Sequence, residues 1–389
     1  MARDREHRGS AGLIRPGGGS AHPLLGADAR TIVSLLRRHG VRRGDRAGVL
    51  AGALAASVAR APVSLVERAV VARRVRRSGP PEPIFILGHW RSGTTHLYNI
   101  LSRSPAFTYV PPIATGLPWD CEVLGRLIRP LLERMLPDQR FIDRIPVRPD
   151  SPQEDEAALA NMQTVSFYHG LYFPRRLREE VMRGVFLDGA TPAEIALWER
   201  RFMHFLGKMA TRRPAARLIV KNPVYTARVA QVRRLVPGAR FVHIRRNPYT
   251  VFFSMRRFYA RLLDAYALAP YSLAGIDGLI CDVYERMMDR LAQDAAGLPE
   301  GSFVEVEYAD LERDPIGTIR AIGAGLGVSA QVEAGVGAFE AYLSGLGDYR
   351  KNRHEYDEAG LALVERRLER FIEAGGYERP TSRPTPAAV

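Results

Sequence analysis

The chain has 389 residues, of which 46% are hydrophobic and 25% are charged, as in an ordinary globular protein. This composition excludes wholesale disorder, collagen-like repetition and a membrane protein with many spans. The 56 basic and 42 acidic residues leave a net charge of +14. Such a charge favours an anionic partner, which could be a nucleic acid, a membrane surface or a phosphate-rich small molecule.

Cysteine and lysine are scarce. With only Cys121 and Cys281, a disulfide framework and a cysteine-rich zinc site are excluded, and a reducing cytoplasm is the expected location. The three lysines are Lys208, Lys221 and Lys351, so nearly all of the positive charge is arginine. Because lysine offers a compact point charge and arginine a planar fork, each remaining lysine indicates a position that needs a point donor.

The N-terminal part of the chain divides in two. Residues 1–30 are poor in apolar side chains and predict a flexible start. Residues 31–80 predict a basic amphipathic helical extension, whose apolar run 47–59 ends at Arg60 and is too short to span a bilayer. Arginines on both sides of this run would suit a membrane interface. Packing of the same helices on the following domain is the alternative.

From residue 81 to residue 389, short strands alternate with helices. This alternation predicts an α/β domain with a central parallel sheet covered by helices on both faces. Apolar runs predict strands at 84–87, 218–220, 241–244 and 303–306. Helices are predicted over 94–102, 224–236 and 248–266, and after Asp314-Pro315. A mostly helical insertion, about 111–213, is expected on the substrate side.

The first predicted strand leads into a glycine-bounded loop, 88–93, and then into a helix that starts with Thr94-Thr95. In this arrangement backbone N–H groups and the helix dipole bind a phosphate. A Walker-type loop places lysine directly after the second glycine, whereas Thr94 stands here and the cation, Arg91, lies inside the loop. A nucleotide kinase or NTPase is therefore disfavoured. Nucleic-acid binding is also disfavoured, because no helix-turn-helix, zinc finger or aromatic-basic stripe is found.

Three motifs in chain order resemble those of the PAPS-dependent sulfotransferase family. Arg-Ser-Gly-Thr-Thr at 91–95 is similar to the family's 5′-phosphosulfate loop. Arg246-Asn247-Pro248, with Ser254 eight residues after Arg246, resembles its 3′-phosphate motif. The segment 306–315 resembles its late strand and helix opening. The resemblance implies a P-loop-like fold, PAPS as sulfuryl donor, PAP as product and an O-sulfotransferase reaction without a metal.

The resemblance also assigns residues. Donor binding falls to Arg91, Ser92, Gly93, Thr94, Thr95, Arg246 and Ser254, and His96 stands where relatives often have a tryptophan against the adenine. Arg350-Lys351-Asn352 falls where many relatives carry an Arg-Lys-Gly clamp, but its third residue departs, and a solvated basic turn is the alternative. Arg91 would neutralise donor charge during the reaction. Lys221 resembles the family's strand-end lysine, which approaches the bridging oxygen of the donor.

The general base cannot be carried over, because aryl-type relatives place histidine two residues after that lysine and Pro223 stands here. A carboxylate is the usual substitute, and residues 154–156 are three consecutive acids. Ser151 and Glu154 also match a capping box with a proline in the first helical position, which would give Glu154 a structural role. Both Glu154 and Glu156 therefore stay candidates for the base.

His89, His169 and Tyr225 are fallback bases, although each is more often a structural, hydrogen-bonded residue. The acceptor is less defined by the sequence. The basic, apolar N-terminal extension favours a hydrophobic or lipidic alcohol presented at the cytoplasmic face of a membrane. A sugar or polysaccharide hydroxyl is the alternative.

Overall fold

The computed structural model describes residues 13–17, 22–42, 45–79, 81–127, 151–346 and 355–381. Within these residues a parallel sheet is flanked by helices, which confirms the predicted α/β, P-loop-like architecture. The strands are β1 Ile84–Leu87, β2 Phe107–Thr108, β3 Arg217–Lys221, β4 Arg240–Arg245 and β5 Phe303–Glu307. Their spatial order is β2-β3-β1-β4-β5, with β1 at the centre.

Sixteen helices have complete bounds within the described residues. They are α1 Ala29–His39, α2 Ala47–Arg77, α3 Thr94–Leu101, α4 Pro112–Gly116, α5 Glu156–Ala160, α6 Tyr168–Tyr172, α7 Leu177–Phe186, α8 Pro192–Ala210, α9 Val229–Leu235, α10 Pro248–Tyr266, α11 Ile276–Ala295, α12 Tyr308–Arg313, α13 Pro315–Gly325, α14 Ser329–Glu333, α15 Val336–Ser344 and α16 Glu358–Gly375. Short 3-10 helices cover Pro23–Gly26, Pro174–Arg176 and Pro223–Ala227.

The register of the sheet fixes where functional side chains meet. Ile86 of β1 pairs with Lys221 of β3 on one side and with Val242 of β4 on the other. Because all strands are parallel, their carboxyl ends lie at one edge of the sheet. That edge therefore carries the loop after β1, Lys221 at the end of β3, and Arg246 just after β4.

Alternate residues of the central strand enter two separate apolar cores, because side chains of a strand point to opposite faces. Phe85 belongs to the cluster that contains Trp198 and Phe202 of α8. Ile84 belongs to the cluster that contains Leu97 of α3 and Ile319 of α13. All four residues of β1 are buried, so its sequence is a continuous apolar run.

The structure adds one strand and corrects one predicted helix. The two-residue strand β2 was not predicted, since two residues carry no periodic signal. The helix predicted over 224–236 is a 3-10 helix followed by α9, with a break at Arg228, whose φ is −140°. The buried Arg228 side chain donates to the carbonyl oxygens of Gly184 and Val185, contacts that no local pattern reveals.

The flexible start predicted for residues 1–30 does not describe the residues from 22 onward. Leu24 and Ala27 are fully buried, because they join the apolar cluster between α1, α6 and α10. Asp28 caps α1 by accepting a hydrogen bond from the Thr31 N–H at 2.8 Å. Earlier in the chain, Ile14 pairs with Tyr271 in an antiparallel bridge.

Helix α2 includes the predicted apolar run 47–59 and continues through Arg60 and Pro62 to Arg77. The Arg60 guanidinium donates to the Asp120 carboxylate at 2.9 Å and to the carbonyl oxygens of Leu25 and Ala27. Since these groups lie on the domain, the charge does not interrupt the helix. By length and composition α2 is sufficient to cross a membrane. In its most apolar 18-residue window, 22% is buried inside the protein.

One face of α2 packs on the domain, which is the second alternative that the sequence left open. The Glu67 carboxylate forms a buried ion pair with Lys208 of α8. It also accepts hydrogen bonds from the backbone N–H groups of Glu122 and Val123. Further along, Arg74 donates to the Glu122 carboxylate at 2.9 Å.

Candidate active site

The loop after β1 has a backbone that only its sequence permits. Gly88 and Gly93 have φ of 143° and 103°, and Arg91 is left-handed with φ 70°. A Cβ on Gly93 would lie 2.1 Å from the Tyr308 ring, so glycine is required there. The loop ends at the first turn of α3, where the N–H groups of Thr94 and Thr95 have no acceptor within the helix. The result is a helix N-terminus open to an anion.

The structure brings together the two motifs predicted to bind the donor. The Arg91 Nε donates to the Ser254 hydroxyl at 2.8 Å. Arg246 donates to the Arg91 carbonyl oxygen at 2.9 Å, and its guanidinium lies 4.1 Å from the Tyr308 ring centroid. The guanidinium groups of Arg91 and Arg246 therefore lie at one edge of the sheet. Arg91 is bonded to Ser254, and Arg246 is bonded to the backbone of the loop.

The Ser92 hydroxyl supports a ligand at this place. Ser92 is 1% exposed, and its Oγ has no hydrogen-bond partner within the described residues. A buried hydroxyl without a partner is costly, and a phosphate or sulfate oxygen would satisfy it. Together with Arg91, Arg246 and the start of α3, Ser92 forms a donor set that fits PAPS.

Three further residues were predicted to bind the donor: His96, Arg350 and Lys351. His96 lies in the first turn of α3, partly buried; burial lowers its pKa, and the nearby Glu312 carboxylate opposes this shift. Glu312 belongs to α12. Arg350 and Lys351 lie outside the described residues.

Two consecutive residues at the end of β3 hold the three consecutive acids. Lys221 is 3% exposed and forms an ion pair with Glu154, whose side chain is 17% exposed. The Asn222 amide donates to the Asp155 carboxylate at 2.9 Å and to the Glu156 carboxylate at 3.0 Å. The acids thus lie beside Ile86 and the start of the loop, because Lys221 pairs with Ile86.

The capping box predicted from Ser151 and Glu154 does not form. Helix α5 begins at Glu156, and its N-cap residue, Asp155, makes no side-chain capping bond. Glu154 lies before the helix, where its carboxylate pairs with Lys221 instead of a backbone N–H. The structural role offered for Glu154 is therefore removed.

The other two acids are enclosed. Both Glu156 oxygens are used, since one accepts from the Ser166 hydroxyl at 2.6 Å and the other from Asn222. Burial raises the pKa of Glu156. Burial also raises the pKa of Asp155 to about 7, against the hydrogen bonds donated by Tyr225 and Asn222.

The three fallback bases are buried and bonded within the protein. His169 has one ring nitrogen 3.0 Å from the Ala160 carbonyl oxygen, and burial lowers its pKa to about 4. His89 Nδ1 lies 3.0 Å from the Trp90 carbonyl oxygen, and burial likewise lowers its pKa to about 4. The Tyr225 hydroxyl donates to Asp155, and burial raises its pKa well above the usual value. None of these geometries favours a role as base.

Three residues at the site had no role in the sequence-based prediction. Tyr308 packs on Gly93, Asn222 holds two acids, and Thr226 accepts a hydrogen bond from the Gly88 N–H at 2.8 Å. Tyr308 and Asn222 lie inside motifs that were recognised, but their partners are distant in the chain. No local signal marked Thr226.

Comparison with known proteins agrees with this geometry. Residues 83–331 match the model of the "Sulfotransferase family". The chain is 28% identical over 331 residues, 84% of each chain, to the omega-hydroxy-beta-dihydromenaquinone-9 sulfotransferase Stf3 of Mycobacterium bovis. The same protein of Mycobacterium tuberculosis matches equally.

Solved structures show a similar fold. The sulfotransferase STF9 of Mycobacterium avium superposes with a TM-score of 0.64 at 16% identity, covering 92% of this chain and 98% of that one. STF1 of Mycobacterium tuberculosis gives a TM-score of 0.58 at 18% identity, covering 88% and 90%. With the family model matched over the sheet and both anion-binding motifs, the chain belongs to the sulfotransferase family and is an enzyme of that class.

Proposed function

We propose that the enzyme transfers the sulfuryl group of PAPS to the hydroxyl of a hydrophobic or lipidic alcohol and releases PAP. The Lys221–Glu154 pair carries this proposal, because it lies at the sheet edge that also carries the loop 88–93 and Arg246. Sulfuryl transfer needs a cation at the leaving oxygen and a base at the acceptor hydroxyl. This pair supplies one of each.

PAPS supplies the sulfuryl group, and the loop and its neighbours would hold its two charged ends. Arg91, Ser92 and the N-terminus of α3 suit the 5′-phosphosulfate, since they combine a permanent charge, a buried hydroxyl and backbone donors. Arg246 and Ser254 suit the 3′-phosphate. A guanidinium can bind two phosphate oxygens at once.

Lys221 is assigned to the leaving oxygen. During transfer the bond between sulfur and the bridging phosphate oxygen breaks, and a new bond forms between sulfur and the acceptor oxygen. Negative charge grows on the bridging oxygen, where the Lys221 ammonium would stabilise it more than in the ground state. Lysine suits this role because its charge is compact.

Glu154 is assigned to the acceptor proton. It is the acid of the three whose side chain stays partly exposed, whereas Glu156 is fully buried with both oxygens bonded. Glu154 also contacts Lys221, so a proton acceptor and a leaving-group cation stand within one ion pair. As the hydroxyl attacks sulfur, its proton would pass to the Glu154 carboxylate.

The acceptor class rests on two observations. The relative from Mycobacterium bovis is named for a hydroxylated menaquinone, a lipid-like acceptor. The apolar, arginine-flanked N-terminal extension is also suited to a hydrophobic substrate. No observation on the described residues specifically favours a sugar.

Donor binding is tested by calorimetry with PAP and with 5′-AMP, which lacks the 3′-phosphate, both without metal. Arg246→Ala should weaken PAP by about 10- to 100-fold, the range for hydrogen bonds to charged groups, and should change 5′-AMP little. Arg290→Ala, an exposed arginine of α11, is the matched control. Equal losses for both nucleotides would contradict the assignment of Arg246.

The acceptor is tested by PAP release and mass spectrometry of the sulfate ester. We expect turnover with an ω-hydroxylated menaquinone or another prenyl alcohol, and none with free sugars. Turnover restricted to sugars would overturn the acceptor class while leaving the donor site intact. Failure of PAP to bind would overturn the proposed donor.

A further inference from the structure

The two faces of α2 differ in polarity. The face packed on the domain is mixed, since it carries the polar residues Ser57, Arg60, Ser64 and Glu67 beside the apolar Leu50, Ala53 and Val71. The outward face from residue 51 to residue 70 has no charged side chain. Its exposed residues are Ala51, Gly52, Ala55, Val58, Ala59, Ala61, Pro62, Leu65, Val66, Ala69 and Val70. A surface helix of a soluble protein normally carries polar and charged residues on its outward face.

We propose that this outward face is a docking surface for an anionic lipid membrane. Val58, Leu65, Val66 and Val70 are 61%, 63%, 63% and 53% exposed. A continuous apolar surface of this kind marks an interaction site. Its length along a helix suits insertion into the boundary between headgroups and acyl chains.

The polar contacts of α2 prevent the apolar face from turning inward. Glu67 and Lys208 are 2% and 1% exposed and paired, and the Lys208 ammonium also donates to the Pro118 carbonyl oxygen at 2.7 Å. Arg60 is held by Asp120 on the same side. Rotating the helix would break these bonds and leave buried charges unpaired.

The same contacts decide between lying on a membrane and crossing it. A spanning α2 would have to leave the domain and carry Arg60, Glu67 and Arg68 into hydrocarbon, where charged side chains are costly. A helix lying flat keeps every one of these contacts. The face is therefore assigned to interfacial binding, with the helix axis along the membrane surface.

The charge at the ends of the face identifies the lipid. Arg73 and Arg77 follow Val66 and Val70 on the same side of the helix and are exposed. At the other end, the exposed Arg37 lies in the last turn of α1, shortly before α2. Basic residues beside an apolar face favour anionic headgroups. A second copy on this face would instead bring like charges together, since a two-fold interface uses the same patch twice.

The docked helix is continuous with the catalytic centre. Leu50 and Ala53 of α2 belong to the same apolar cluster as Trp90 of the loop and Phe167. If the proposed lipidic acceptor is correct, the bound membrane would present this acceptor on the side of the enzyme where α2 lies. The docking surface itself does not depend on that acceptor.

Vesicle flotation tests the surface with the full chain, using phosphatidylcholine alone and phosphatidylcholine mixed with phosphatidylglycerol. We expect flotation with the mixed vesicles, weakened by salt. The double variant Val66→Glu/Val70→Glu should abolish it. Ala321→Glu/Ala324→Glu on exposed positions of α13 adds the same charge and should float normally.

The arginines are tested separately. Arg73→Gln/Arg77→Gln should lower binding by about fivefold per residue at low salt, while Arg200→Gln/Arg290→Gln, with the same loss of charge at other exposed arginines, should not. PAP binding and melting temperature check that every variant is folded, so a failure of docking is separable from a failure of the proposed reaction. A wild-type chain that ignores mixed vesicles would overturn the inference. So would a dimer that Val66→Glu/Val70→Glu converts to a monomer without any vesicle binding.

Discussion

Two of the three lysines form ion pairs with glutamate, and the two pairs differ in how completely they are enclosed. Lys208 and Glu67 are 1% and 2% exposed, and the remaining polar atoms of the pair are bonded to Pro118, Glu122 and Val123. In the second pair Lys221 is 3% exposed, but Glu154 keeps 17% of its side chain exposed.

This difference predicts a structural role for the Lys208–Glu67 pair and a role in the reaction for the Lys221–Glu154 pair. A pair with every atom bonded is rigid, and removing one partner leaves a buried charge that the fold cannot hydrate. A pair with a partly exposed glutamate side chain could exchange its partner for a substrate hydroxyl. The first pair should therefore matter for folding and the second for turnover, which four changes can test.

The largest effect is expected from Glu154→Gln, because loss of a general base costs about 10²- to 10⁴-fold in kcat. PAP binding should persist, and the melting temperature should fall less than in Glu67→Gln, because Glu154 caps no helix and the Lys221–Glu154 pair is less completely enclosed. Glu156→Gln is the comparison; it should disturb the buried bonds to Ser166 and Asn222 and lower the melting temperature. Steady-state kinetics with near-normal kcat for Glu154→Gln would move the base elsewhere.

Next is Glu67→Gln, which leaves the Lys208 ammonium buried without its carboxylate. Breaking a buried pair costs about 3–5 kcal/mol of unfolding free energy, measured by urea denaturation. The folded fraction should keep its kcat. The double variant Glu67→Leu/Lys208→Met should recover much of the loss, because it removes both charges. A stable Glu67→Gln protein with reduced kcat would reverse the roles of the two pairs.

Lys221→Ala should lower kcat by about 10²-fold, the scale of one lost electrostatic contact in the transition state. The affinity for PAP should change less. Lys208→Ala is the matched change in the enclosed pair, and it should act on stability instead. If Lys221→Ala keeps full turnover in a PAP-release assay, Lys221 has no part in the reaction.

The smallest effect concerns Asp155, which follows Glu154 in the chain. Burial raises its pKa from 3.8 to about 7, so the folded state holds the proton more tightly than the unfolded state. Its contribution to stability is therefore complete below about pH 4 and is lost as pH rises through 7, by up to about 1.4 kcal/mol per pH unit. Urea titrations should show that slope in the difference in unfolding free energy between the wild type and Asp155→Asn across this window. The same difference for the exposed Glu340→Gln, which keeps Asp155, should not change with that slope.

Local sequence patterns predicted the strands and the loop that bring Arg91 and Arg246 together. The runs at 84–87, 241–244 and 303–306 became strands, and a glycine loop followed by a helix start is a contiguous feature. Arg91 and Arg246 meet because parallel strands bring their carboxyl ends to one edge. The parallel topology of the sheet is therefore sufficient to predict this contact.

The acid side could not be predicted in the same way. Ser151 and Glu154 match a capping box, but the distant Lys221 competes for the Glu154 carboxylate. Arg60 interrupts the apolar run of α2, yet its partner Asp120 lies on another segment and the helix continues. In both cases a long-range ion pair overrides a local signal.

Tyr308 links the two halves of the proposed donor site. Its ring lies where a Cβ on residue 93 would be, and it also lies under the Arg246 guanidinium. Residues 93 and 246 are far apart in the chain, but a substitution at either one would change its contact with this ring. Across relatives, we expect residues 93, 246 and 308 to change as a group: glycine at 93 and arginine at 246 should accompany a flat aromatic side chain at 308.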